Sequence, residues 1–364
     1  MKIEKIITEI EKIFPIEIAE EFDNVGLLLG KSDAVCNKAL VCHDVTDEVI
    51  DEALNNKCEL IISYHPLIFN SLKKINYKNR IGRIVTKMIE NELSLYSIHT
   101  SFDNFKNGLS FYLGNILNLK NQKKLIPKKN SLMKLTTYVP NEYQDLVLNS
   151  LYEAGAGEIE NYSKCSFSSE GKGRYLGNKE SNPKFGNKEE LTKTSEILIS
   201  LVFPSHIKKK VIENLIESHP YESVAYEITK IENKNPDLGL GSIGVLPKSM
   251  TEKEFLELLK NKLPVNIIKH SKFMKNKIKI VAVLAGSGAF AIDNAIENNA
   301  DVFVTGDLKY HDFFKSDDKI LLVDVGHFET EFFIKNKLQE ILMEKIHNFA
   351  FVASKIDNNP VKYF

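Results

Sequence analysis

Leu60-Ile61-Ile62-Ser63-Tyr64-His65-Pro66 is a short apolar run that ends at a proline and leaves a histidine at its tip. A run this short, closed by a residue with no backbone N–H to donate, reads as a buried strand whose polar end emerges where the strand stops. The same design recurs on either side, at residues 39–42 and 93–98, with amphipathic helical stretches at 47–55 and 80–91 between the runs. Strand followed by crossover helix predicts a mainly parallel sheet, hence an α/β fold. Upstream, Ile3, Ile6, Ile7, Ile10 and Phe14 share one helical face, an opening helix that packs against the sheet.

Near residue 120 the composition turns to Lys, Asn and Gln, ending in Ile126-Pro127-Lys128-Lys129-Asn130, the composition of a boundary. Beyond it the pattern predicts a strand over 132–139, a helix over 142–154 and a polar, Gly-rich region over 155–194. A strand over 196–203, a helix over 207–218 and a strand over 224–231 follow. That order predicts a small ferredoxin-like α+β domain. From about residue 240 the first style returns, with strands at 277–284, 302–305 and 320–325, a helix at 290–298 and a long helix from about Thr330. The expected organisation is two related α/β halves, 1–127 and 236–364, with an inserted domain at 128–235.

At 364 residues the chain is longer than one core usually grows. Its 43% hydrophobic and 27% charged residues are those of a folding globular protein. The 48 Lys and Arg nearly cancel the 49 Asp and Glu, which removes any global argument for a nucleic-acid or membrane partner. Four cysteines without a C-x-x-C pair are too few for a disulfide framework and fit a reducing compartment. The N-terminus lacks the order of a signal peptide and no apolar run reaches membrane-spanning length, so a cytoplasmic location is expected.

Three polar clusters directly follow short strands, the edge where open α/β sheets place their ligands. They are His65 with Pro66, His99 with Asp103, and His327 with Glu331. The last pair opens a helix, where a separation of four residues puts both side chains on one face. Imidazoles with carboxylates suit Zn²⁺, Fe²⁺ or Mn²⁺ and require no thiolate. Each histidine taken alone reads more readily as a hydrogen-bonded structural residue near a strand end than as a ligand; the coincidence of three clusters carries the metal reading. Other features carry less. Gly239-Leu240-Gly241-Ser242-Ile243-Gly244 matches G-x-G-x-x-G but lies between Pro236 and Pro247, without the strand-turn-helix frame a dinucleotide site needs. Gly286-Ser287-Gly288 reads either as a phosphate-binding turn or as a plain tight turn. His43 reads as structural, and His219-Pro220-Tyr221-Glu222 as a fold signature.

Asp23-Asn24-Val25-Gly26-Leu27, Tyr64-His65-Pro66-Leu67-Ile68-Phe69, His99-Thr100-Ser101-Phe102-Asp103, Thr305-Gly306-Asp307-Leu308-Lys309-Tyr310-His311 and Gly326-His327-Phe328-Glu329-Thr330-Glu331 occur in that order. Together they resemble the NIF-three-like dinuclear metal-centre family. The middle of the chain, with Gly155-Ala156-Gly157 and His219-Pro220-Tyr221-Glu222, resembles the PII/CutA-like insertion of its longer members. The resemblance implies up to two divalent ions per subunit, with His65, Asp103, His327 and Glu331 as ligands and His99 as a further candidate. It also implies a toroidal homohexamer. One position departs: where the family has a second histidine this chain has Tyr64, a weaker ligand whose phenol stays protonated near neutral pH unless a metal lowers its pKa.

Family members are commonly labelled homologues of the type 2 form of GTP cyclohydrolase 1, which implies a metal-dependent hydrolase acting on a purine nucleotide. A non-catalytic metal-binding scaffold or regulator, and a metal-dependent phosphoesterase, fit the same residues.

Overall fold

Ala39 and Val41 face one way from the strand Lys38–Cys42 and Leu40 and Cys42 the other, the alternation of a strand buried on both sides. In the computed structural model, which describes every residue from Met1 to Phe364, this strand lies in a five-stranded sheet. The order is Gly26–Leu29, Ser94–Ser97, Leu60–Ser63, Lys38–Cys42, Ala350–Ala353, with only Gly26–Leu29 antiparallel to its neighbour. Helices Ile3–Ile13 and Ile334–Lys345 cover one face through Ile3, Ile6, Ile10, Leu338 and Leu342. Helices Asp47–Asn55 and Arg80–Glu90 cover the other through Ile50, Ala53, Ile84 and Met88. Their starts are set by capping: the Thr46 hydroxyl accepts from Val49 N–H and the Asn79 carbonyl oxygen from Gly82 N–H. Each cap contributes about 1 kcal/mol.

A second, six-stranded sheet repeats the plan. Its order is Lys269–His270, Leu321–Asp324, Val302–Gly306, Lys277–Ser287, Ser242–Thr251, Lys120–Lys123. The three strands Leu321–Asp324, Val302–Gly306 and Lys277–Ser287 are parallel and the outer pairings antiparallel. Val281, Val283, Val302, Val304 and Val323 pack on one side against helices Leu109–Ile116 and Glu252–Lys262. Ala282, Phe303 and Leu322 pack on the other with Ile292 and Ala295.

The fold is therefore mixed α/β with several sheets. The first sheet is mainly parallel, as the strand-helix alternation predicts, with one antiparallel edge strand; the second departs from that expectation, with antiparallel strands at both edges. Residues 120–123, which composition assigns to a linker, form an edge strand; Lys120 and Lys123 keep their charges in solvent while the backbone pairs with Ser242–Thr251. The expected long C-terminal helix is two helices, His327–Glu331 and Ile334–Lys345. No helix is long and apolar enough to cross a membrane.

The chain divides into two compact units, Met1–Ile126 with Asp237–Phe364, and Pro127–Pro236. The second has the order Leu132–Pro140, Gln144–Glu153, Phe167–Leu176, Leu191–Pro204, Lys208–Ser218, Tyr226–Ile231: strand, helix, strand, strand, helix, strand. Its antiparallel sheet runs Tyr226–Ile231, Leu132–Pro140, Leu191–Pro204, Phe167–Leu176. Both helices pack on one sheet face through Val147, Leu151, Val211 and Leu215. The polar stretch 155–194 contains most of a long hairpin, whose glycines and exposed side chains hide the two-residue period.

Candidate metal centre

All parallel strands of the first unit end on the same side of their sheet, and the residues just past those ends converge. His43 follows Lys38–Cys42, Tyr64 and His65 follow Leu60–Ser63, and His99 follows Ser94–Ser97. From the second sheet come Gly286 within Lys277–Ser287, Asp307 after Val302–Gly306, and His327 after Leu321–Asp324. Asp324 braces this end: its carboxylate accepts from Leu308 N–H at 3.0 Å and Gly326 N–H at 2.9 Å. Gly326, at φ +99°, makes the turn into helix His327–Glu331 that a side chain would strain.

Glu331 is the hub. It is 2% exposed, and its Oε2 lies 2.8 Å from His43 Nε2, 3.3 Å from His327 Nε2 and 3.4 Å from His65 Nε2. Gly286 makes room for it: at φ +72°, a Cβ here would sit 2.6 Å from Glu331 Oε1 and 3.4 Å from His327 Nε2. The turn is held by Thr330, whose hydroxyl accepts from Gly286 N–H and donates to the His327 carbonyl.

Three imidazoles are each held by a carboxylate at the opposite nitrogen. His65 Nδ1 lies 3.0 Å from Asp44 Oδ1, His99 Nδ1 2.8 Å from Asp23 Oδ1, and His327 Nδ1 2.7 Å from Asp307 Oδ2. That pairing holds each ring from behind through Nδ1, the usual carboxylate–histidine support of a metal ligand. His99 adopts φ +32°, a costly conformation for a residue with a side chain, of order 1–3 kcal/mol. The ring centroids of His65 and His99 are 5.3 Å apart, and those of His65 and His327 5.4 Å.

The electrostatics follow from this crowding. Burial disfavours a charge on Glu331, but hydrogen bonds with His327 and His43 and the charge of His65 outweigh it and hold the carboxyl well below its usual range. Burial likewise opposes the His327 cation, yet Asp307 and Glu331 push its pKa up to about 11. Burial raises Asp103 to about 7, against the pull of His99 and a hydrogen bond from Tyr64.

Of the residues singled out in the sequence, His65, His327 and Glu331 come together with donor atoms within 4.8 Å of one another. His99 borders them. Asp103, on helix Thr100–Asn104, is engaged by Tyr64, whose hydroxyl donates to Asp103 Oδ1 at 2.7 Å. Tyr64 is 1% exposed, and burial with the nearby carboxylates raises its pKa well above the phenol value, so the proton stays on oxygen. His43, read from the sequence as structural, and Asp44 beside it form with His65 a second group of the same tightness. Their signal was present, since they follow a strand as the other clusters do.

The donor set fits a divalent cation. It is all imidazole and carboxylate, the rings are oriented from behind, and His43 Nδ1 is buried without a hydrogen-bond partner. The fold and this cluster define a mixed α/β protein with a histidine–carboxylate centre at the carboxyl ends of its sheets. Comparison with known proteins places it further. Residues 1–360 match the Duf34/NIF3 (NGG1p interacting factor 3) family, and the chain belongs to it. It is 36% identical over 368 residues to a Bacillus subtilis protein named GTP cyclohydrolase 1 type 2 homolog, with 99% of this chain and 98% of that one covered. A Halalkalibacterium halodurans protein of the same name is also 36% identical, covering 98% of each chain. Among solved structures, a Bacillus cereus protein related to NIF3 superposes with a TM-score of 0.88 at 35% identity, covering 100% of this chain and 99% of that one.

Proposed function

We propose that this protein is a metal-dependent hydrolase with up to two divalent ions, Zn²⁺, Fe²⁺ or Mn²⁺, held by His65, Asp103, His327 and Glu331, with His99 adjoining. The observation that carries this reading is the meeting of three imidazole Nε2 atoms at Glu331 Oε2, two of those rings (His65 and His327) being held from behind by carboxylates. Bound divalent ions would acidify a water and polarise the bond it attacks. The chain's own part is to orient the imidazoles through Asp23, Asp44 and Asp307 and to keep Asp103 hydrogen-bonded through Tyr64. The names of the B. subtilis and H. halodurans relatives support a purine nucleotide as the substrate class.

A non-catalytic metal-binding scaffold is the second reading. It is favoured by the engagement of every carboxylate around the cluster with a histidine or the Tyr64 phenol, so that none stands free as a general acid or base. Screening the metal-loaded protein against GTP, other nucleotides and generic phosphoesters separates the two. Metal-dependent product from GTP supports the hydrolase, product from the esters alone makes it a phosphoesterase, and no product from any supports the scaffold.

The strand-helix-strand-strand-helix-strand order of Pro127–Pro236, with its antiparallel sheet, supports a ferredoxin-like inserted domain. Four free cysteines support a reducing, cytoplasmic location. The assembly proposed is a homohexamer, checked by sedimentation of the metal-loaded protein.

A further inference from the structure

The sheet of Pro127–Pro236 has two unlike faces. One carries the helices; the other, with Tyr138, Glu196 and Leu198, borders a cavity of about 1080 Å³ that lies wholly within this unit. That volume suits a small organic molecule. One charged side chain in its wall is buried. Glu196 is 8% exposed, and its Oε1 accepts from the hydroxyls of Tyr221 at 2.7 Å and Thr194 at 2.8 Å. Its Oε2 has no hydrogen-bond donor, and no lysine, arginine or histidine forms an ion pair with Glu196. The basic residues of the wall, Lys172, Arg174 and Lys184, are all exposed.

The surroundings are built to keep that carboxylate in place. It lies over Gly173, where a Cβ would come within 2.3 Å of Oε2. Tyr221 is positioned in turn by His219, whose Nδ1 accepts from Tyr221 N–H at 3.1 Å while Nε2 donates to the Tyr138 carbonyl at 3.0 Å. Tyr221 and Glu222 of the His219-Pro220-Tyr221-Glu222 motif thus line the cavity, with His219 bracing Tyr221 from behind. Glu222 anchors the loop that covers it, accepting from Asn182 N–H at 2.7 Å, and Tyr175 donates to the Phe185 carbonyl in the same loop. The Tyr175 and Tyr221 rings meet edge to face, 6.0 Å between centroids.

Glu196 Oε2 faces the cavity with no donor and no cation beside it, and aromatic rings next to a carboxylate complement positive charge. The geometry points to this cavity as a binding site for a small organic cation, a primary ammonium or guanidinium on a short apolar or aromatic body, whose charged nitrogen donates to Glu196 Oε2. This is independent of the metal centre, which contains none of these residues.

Calorimetric titration of the full chain with agmatine, tyramine and arginine amide tests it, with 1,4-butanediol and glutarate as neutral and anionic controls. The expected result is saturable binding of at least one cation and of neither control. Glu196→Gln, which keeps the shape and can still accept from Tyr221, should weaken that binding about tenfold to a hundredfold. Gly173→Ala should weaken it as well, by displacing the carboxylate. Circular dichroism of both variants shows whether the unit remains folded, and a variant that does not fold leaves the other to decide. No saturable binding by any of the three cations at millimolar concentration, equal affinity in folded Glu196→Gln, or preference for glutarate would each overturn the assignment. So would a change of oligomeric state on Glu196→Gln without loss of cation affinity, which would make the cavity a contact between copies of the chain.

Discussion

Replacing Glu331 by Gln tests the metal centre most directly, because it removes one charge and keeps the volume. The carboxylate is 2% exposed and its Oε2 serves three imidazoles within 3.4 Å. In the metal-free protein the loss of this buried ion pairing, with its hydrogen bond to His43, should cost about 3–5 kcal/mol, the range for breaking a buried pair. The metal-bound protein should lose more. At a Zn²⁺ concentration about 100 times the dissociation constant, binding stabilises the native state by about 2.7 kcal/mol; a variant bound about 100-fold more weakly gains only about 0.4 kcal/mol. For a unit of this size each kcal/mol moves Tm by about 2–4 °C. Zn²⁺ should therefore raise Tm by about 5–11 °C in the wild type and by about 1–2 °C in Glu331→Gln. The assay is thermal unfolding with and without Zn²⁺, together with elemental analysis, using the exposed His347→Ala as control. A Glu331→Gln protein that keeps both the full Zn²⁺-dependent shift and the wild-type metal content would refute the assignment of Glu331 as a ligand.

Gly286→Ala should cost about 1–2 kcal/mol from the positive φ alone and also lower metal content, since its Cβ would press on Glu331; denaturant unfolding and elemental analysis check both. Asp307→Asn should weaken metal affinity about 10- to 100-fold by releasing the His327 ring, read by competition with a chelating dye. Tyr64→His should raise metal stoichiometry, and the wild type loaded with ferric iron should show no visible phenolate band, because the phenol donates to Asp103. A band in the wild type that disappears in Tyr64→Phe would show the opposite. Deleting Pro127–Pro236 and joining its flanks with a short flexible linker should leave metal content unchanged; a folded product that binds no metal would place part of the site in the removed unit.

Much of this protein is written in local pattern. Apolar runs at 39–42, 60–62 and 93–98, separated by amphipathic stretches, specify strands and helices because a two-residue or a 3.6-residue period decides which side chains share a face. The same locality places His65, His99 and His327 just past strand ends and sets Glu331 one helical turn from His327. What local pattern cannot contain is which strand lies beside which. Asp23 pairs with His99 across 76 residues, and His43 meets Glu331 across 288. Those partnerships exist only once the strands have ordered themselves and the ends of two sheets have come within hydrogen-bond distance. For the same reason His43, read from the sequence as structural, became a neighbour of the hub, and Asp103 gained the Tyr64 phenol as a hydrogen-bond donor. A hydrogen bond is decided over about 3 Å in space, a proximity that only tertiary structure creates between residues so far apart in the chain.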